Sequence, residues 1–141
     1  MSKVTIEDEQ GNKVEVDLRV KTRLEVIIDE LDALTRRIDR VPGYTFKPSK
    51  HAYRSAKSYI LETYTRMGNS FPTPSFVLDG ERGIIIKWAH NGHSVRLNCL
   101  PDWNDENYIY FENGEYDVED NVTPDVLYKR LIWLMNQQLP A

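Results

Sequence analysis

Cysteine is almost missing from this sequence: Cys99 is the only one among 141 residues. A single thiol excludes an internal disulfide and any zinc cluster built on several cysteines, and it agrees with a reducing compartment. A small buried core residue is the expected place for it. Long apolar runs are missing too. No stretch approaches the roughly 18 residues that mark a membrane span, and no basic-then-apolar leader is visible, so the expected setting is cytoplasmic with no membrane contact. Catalytic signatures are equally scarce. There is no Gly-x-Ser-x-Gly elbow, no phosphate-binding glycine loop and no His-Glu-x-x-His pair. Asp102-x-Asn104-x-Glu106 resembles the opening of a calcium loop, but Asn107 stands where that loop needs glycine and Asn113 where it needs glutamate.

What the chain does have is charge, unevenly distributed. The formal net charge is −4. Between Arg36 and Arg66 eight Lys or Arg stand against two acids, leaving that segment at +6. From Asp102 to Asp125 there are nine acids and no Lys or Arg. Two electrical faces are expected. At 40% hydrophobic, the chain can bury a core without a cofactor, and none is expected.

The apolar pattern reads as α+β. Val4 and Ile6, then Val14, Val16, Leu18 and Val20, alternate with polar residues around Gly11, which predicts an N-terminal β-ribbon. Thr22-x-x-Glu25 opens a long helix, predicted to run to about Arg40. Along it Leu24, Ile27, Leu31, Leu34 and Ile38 follow heptad spacing. Such a seam serves a homodimer or a partner helix, or else packs on the chain's own sheet. Pro48-Ser49 starts a second helix, with Tyr53, Ala56, Ile60, Tyr64 and Met67 on one stripe and Gly68-Asn69 as its stop. Beyond Pro72 and Pro74 an antiparallel five-stranded meander is predicted over about 75–79, 83–89, 94–100, 107–112 and 115–119, with helices packed on one face. Thr123-Pro124 opens the last helix, which carries Leu127, Leu131, Leu134 and Met135. Two units are expected: 1–41 as a dimerisation or partner-binding appendage, and 42–141 as the meander domain.

The pair His90 and His93 raises the question of a metal. Asn91-Gly92 between them is the favoured pair for a two-residue type I′ turn. That turn sets His90 opposite His93, Trp88 opposite Val95, Ile86 opposite Leu97 and Ile84 opposite Cys99, all on the apolar face, while Lys87 and Arg96 meet on the other. Facing imidazoles about 5 Å apart at Cβ could share a metal, but catalytic zinc takes three protein ligands. Cys99 lies about 20 Å along its strand at about 3.3 Å per residue. No metal is expected, and an enzyme using this turn is the weakest reading.

The runs "VPGYTFKPSKHAYRSAKSYI", "FPTPSFVLDGERGIIIKWAHNGHSVRLNCLPD" and "ENGEYDVED" resemble a group of small uncharacterised bacterial α+β proteins. Their pattern of a Gly-Tyr loop, a Pro-Ser helix start, a Pro-x-Pro lead-in, an Asp-Gly hairpin, a buried tryptophan and an acidic second hairpin matches Gly43, Tyr44, Pro48, Ser49, Pro72, Pro74, Asp79, Gly80, Gly83, Trp88 and Gly92. The resemblance covers residues 42–138 and implies the fold, with no catalytic residue to carry over. It departs at Glu81-Arg82, which lengthens the Asp-Gly turn, and at the basic character of the helix 50–66.

The function expected from these features is a non-enzymatic interaction module, as antitoxins, immunity proteins and phage inhibitors are. It would bind a basic protein partner through the acidic hairpin, with Trp103, Tyr108, Tyr110, Glu115, Tyr116, Asp117 and Glu119 in contact. A two-residue Asn113-Gly114 turn would pair Phe111 with Tyr116 and Ile109 with Val118, leaving Tyr108 and Tyr110 on the outer face with Asp117 and Glu119. The alternative is nucleic-acid binding through Arg36, Arg37, Arg40, Lys47, Lys50, Arg54 and Lys57, interleaved with Tyr44 and Phe46. A sequence pI near 5.4 counts against it.

Overall fold

In the computed structural model, which describes residues 2–7, 9–18, 22–36, 47–113 and 115–139, two antiparallel sheets and three helices follow one another along the chain. Strands β1 (Ser2–Glu7) and β2 (Lys13–Leu18) pair as a ribbon, with Val4 opposite Val16 and Ile6 opposite Val14. Helix α1 (Arg23–Thr35) is capped by Thr22, whose side chain accepts from the Glu25 amide at 3.2 Å. It ends with Arg36 as its C-cap; positions 37–40, the last turn of the expected helix, lie outside the described residues. Helix α2 (Lys50–Met67) is capped by Ser49 and stopped at Gly68, φ 57°, where the left-handed backbone suits glycine. Helix α3 (Pro124–Met135) opens on Thr123 and proline, as the sequence predicts.

The second sheet runs β3 (Ser75–Leu78), β4 (Ile84–His90), β5 (His93–Cys99), β6 (Tyr108–Asn113), β7 (Glu115–Glu119) in simple meander order. The β4–β5 hairpin has the predicted register in every pair, from His90 opposite His93 to Ile84 opposite Cys99. Asn91 and Gly92 both hold positive φ, 50° and 81°, as a type I′ turn requires. Gly83 is needed for a different reason. A Cβ there would fall 2.2 Å from Asp79 Oδ2 and 3.0 Å from the Cys99 carbonyl.

Alternate residues of the sheet enter the core. Ile84, Ile86, Trp88, Val95, Leu97, Cys99, Ile109 and Phe111 are buried on the face that the helices cover. α2 contributes Ala52, Ala56, Tyr59, Ile60 and Met67; α3 contributes Leu127, Leu131 and Leu134, while the expected Met135 is exposed. Phe71 sits edge-on to both Tyr64 and Trp88, with ring centroids 5.5 and 6.1 Å away. Burying such rings is worth about 2–3 kcal/mol each from area alone.

The heptad residues of α1 join this same core. Ile27 and Leu31 are buried, and Leu24 and Leu34 pack against the cluster; Ile38 lies outside the described residues. Arg23 fastens the start of α1 by donating to the Phe71 carbonyl and to Thr73, and Tyr53 of α2 donates to Asp32. That bond, with burial and the nearby charge adding to it, pushes the Tyr53 phenol up to about 12. The stripe therefore behaves as an amphipathic face against the chain's own α2 and β3. Ile27 and Leu31 belong to the same buried cluster as the residues of α2, α3 and the large sheet.

Candidate functional site

The face of the large sheet turned away from the helices carries the other half of each strand. Its central row runs Ser75, Lys87, Arg96, Tyr110, Val118 across all five strands. The neighbouring row runs Val77, Ile85, Asn98, Tyr108. Val77 on the β3 edge is 52% exposed, and Tyr116 and Val118 on the β7 edge are 62% and 56% exposed, so both edges of this face carry apolar surface. Tyr110 and Tyr116 stack across β6 and β7, with centroids 4.8 Å apart and planes 17° from parallel. Desolvation and the Tyr116 neighbour hold the Tyr110 phenol above its ordinary value, against the opposing pull of Arg96. It stays neutral at physiological pH and presents a ring and a hydroxyl.

This arrangement corrects the sequence reading of the second hairpin. Phe111 pairs with Asp117, not Tyr116, and Ile109 with Glu119, not Val118. Because side chains alternate with a period of two, a slip of one residue moves the whole of β7 to the opposite face. Tyr116 and Val118 thereby join Tyr108 and Tyr110 on the open face, whereas Asp117 and Glu119 turn to the helix side. The gain is visible there. Arg130 of α3 reaches Glu119 at 3.3 Å, and its guanidinium lies 3.7 Å from the Phe111 ring centroid and 5.4 Å from that of Trp133. Glu119 is thus paired within the chain. Glu115 stands opposite Asn113 at the hairpin end.

Trp103 lies elsewhere. At 79% exposed it lines a cleft of about 530 Å³ with His51, Arg54, Glu62 and Asp105, between α2 and the 100–107 loop. The acidic and basic segments are therefore not two separate faces. They also meet at Arg66 and Asp125, 2.7 Å apart, with Lys129 on the other carboxylate oxygen at 3.3 Å. The hydrogen bond from Arg66 and then Lys129 hold the Asp125 carboxyl below its usual range.

The predicted basic patch is dispersed by the helix. Arg54 faces the Trp103 cleft, and Lys57 lies near the Tyr53 ring at 5.8 Å. Lys47 and Lys50 line a different cleft, where Arg82 joins them. Arg36 is the exposed C-cap of α1, and Arg37, Arg40, Tyr44 and Phe46 lie outside the described residues. Lys87 and Arg96 were legible as a cross-strand pair on the outer face, but that face could be recognised as a site only once β6 and β7 were placed beside them. Arg82 carried no signal beyond its position in a turn.

At the histidine turn each ring has its own neighbour. His90 Nε2 accepts from the Asn91 amide at 3.2 Å in the tautomer protonated at Nδ1, and His93 stands edge-on to Trp133 at 6.1 Å. Among the described residues no three His, Cys, Asp or Glu side chains come together in a metal-binding group. Among them, too, no helix is long and apolar enough to cross a membrane. Cys99, 1% exposed, has its thiol pushed up to about 12 by burial, which removes it as a nucleophile at neutral pH. Comparison with protein-family models, with curated proteins and with solved structures gives no match.

Proposed function

We propose that the protein is a non-enzymatic interaction module that holds a protein partner against the open face of its large sheet. One observation carries this reading: Tyr108, Tyr110, Tyr116, Val77 and Val118 share a face over which no helix packs among the described residues, with Lys87 and Arg96 in the same row as Tyr110. Tyrosine and arginine are the residue types that concentrate binding energy at protein interfaces, because they bring area and hydrogen bonds at small entropic cost. The partner's complementary surface is apolar where it meets β6 and β7 and carries acids opposite Lys87 and Arg96 on the central strands. This reverses the polarity expected from the acidic hairpin, whose Asp117 and Glu119 belong to the other face.

Site-specific photocrosslinking in the source cells tests it. A photoreactive residue at 116 or 110 should yield one protein adduct, and the same residue at 117, one position away on the opposite face, should not. Tyr110→Ala should weaken capture of that protein by about thirtyfold, the loss of one aromatic anchor worth about 2 kcal/mol. An adduct from 117 or 103 and none from 110 or 116 would move the interface away from this face.

A further inference from the structure

Lys47, Lys50 and Arg82, from a loop end, a helix start and a β-turn, line one cleft of about 320 Å³ beside Ser49 and Tyr53. No Asp or Glu lines it among the described residues. The chain has 22 acids against 18 Lys and Arg, and some of its cations, such as Arg66 and Arg130, are paired with them. Here three cations share a concave surface and none has an ion-pair partner among the described residues. Like charges held along one concave surface raise the positive potential there, and an anion that enters lowers it.

The position of Arg82 adds an independent reason. Its φ is 70°, in the left-handed region where a side chain with a Cβ is strained and where glycine or asparagine is the usual choice. The turn imposes it. Asp79 Oδ1 accepts from the Glu81 and Gly83 amides at 2.7 and 2.8 Å, and the Ser49 amide donates to the Arg82 carbonyl at 2.8 Å. That last bond clamps the turn to the residues between Lys47 and Lys50. An arginine kept at a strained position, fastened beside two lysines, points to use of its side chain rather than to a need of the fold.

We propose that this cleft binds a phosphoryl group, with the Arg82 fork taking two of its oxygens and Lys47 and Lys50 neutralising its charge. A phosphoryl dianion suits three cations better than a single carboxylate does, and planar guanidinium matches its oxygens bidentately. The group can be that of a free phosphomonoester, a dianion, or of neighbouring phosphodiesters of a nucleic-acid backbone, which carry one charge each. The cleft shares no residue with the open sheet face, so the two readings stand or fall separately.

The test is an amide NMR titration of the full chain with two probes, inorganic phosphate and a short single-stranded oligonucleotide. Saturable shifts at Lys50, Arg82 and Gly83 are expected. Lys50→Gln and Arg82→Gly should each weaken binding about tenfold, the loss of one charge-assisted contact. Arg82→Gly should at the same time raise Tm, because glycine accepts this φ without strain; a purely structural arginine would not trade stability for affinity in this way. An oligonucleotide that binds more tightly than phosphate, with a steep salt dependence lost in both variants, identifies a polymer backbone as the source. An oligonucleotide that binds no more tightly than inorganic phosphate excludes the polymer backbone and leaves a small phosphoryl group as the source. Absence of saturable shifts with both probes, or shifts unchanged in both variants, overturns the proposal.

Discussion

Replacing Leu31 by alanine separates the two surfaces that the α1 stripe could serve. Leu31 is fully buried in the core of its own chain, so the substitution removes three carbons' worth of apolar contact and leaves a cavity. Arg23 anchors the start of α1 to the Phe71 carbonyl and Tyr53 anchors its last turn at Asp32, which limits how far the helix can move inward to fill the space. That places the cost in the upper part of the range for such changes, about 3–4 kcal/mol. For a chain of this length about 3–5 °C accompanies each kcal/mol, so Tm should fall by about 9–20 °C. Val26, 45% exposed on the same helix, is the control, and its change to alanine should cost less than about 0.5 kcal/mol. Thermal unfolding followed by circular dichroism, repeated over about a hundredfold range of protein concentration, reads both quantities. Tm of the unmodified chain should be independent of concentration if the stripe is satisfied within it. A Tm that climbs with concentration and loses that dependence in Leu31→Ala would show the seam to lie between two chains, and the packing argument would fail.

Arg130→Ala should destabilise the protein by about 1–2 kcal/mol, through lost stacking on Phe111 and lost pairing with Glu119, and should speed amide hydrogen exchange in residues 115–119 more than elsewhere; uniform exchange rates would deny Arg130 its part in holding β7. Arg66→Ala should raise the Asp125 pKa toward the ordinary carboxyl value in a side-chain NMR titration. The sign follows from linkage: a carboxyl depressed in the folded state contributes stability above its unfolded pKa and loses it as pH falls through the folded one, so the variant should lose this part of its acid sensitivity. Cys99 should resist a thiol reagent at neutral pH in the native protein and react fully in denaturant; fast native labelling would contradict its burial.

Much of the fold was written in local chemistry. Thr22, Ser49 and Thr123 cap their helices because a side-chain oxygen at each accepts from an amide three residues on. Asn91-Gly92 dictated the β4–β5 register because few other pairs adopt positive φ twice in succession. With that register came the buried row Ile84, Ile86 and Trp88, and the outward pair Lys87 and Arg96. Leu127, Leu131 and Leu134 marked the inner side of α3 by spacing alone. The second hairpin was different. Asn113-Gly114 promised the same turn, yet the strands pair one residue out of that register: Arg130, outside the hairpin, meets Glu119 on the helix side, while Tyr110 and Tyr116 stack across the hairpin on the other.

The heptad stripe of α1 was undecidable for a related reason. An apolar side chain is removed from water equally well by its own sheet or by another chain, so spacing carries no record of which surface is used. Charge behaved likewise. Segments of opposite sign are visible along the chain, but Coulomb interaction depends on distance in space, and only the packing of α2 against α3 brings Arg66 to Asp125. Arg82 is the clearest case: its sequence neighbours mark a turn, while its meeting with Lys47 and Lys50 is set by the bond from the Ser49 amide, contributed from a segment that passes thirty-odd residues earlier in the chain.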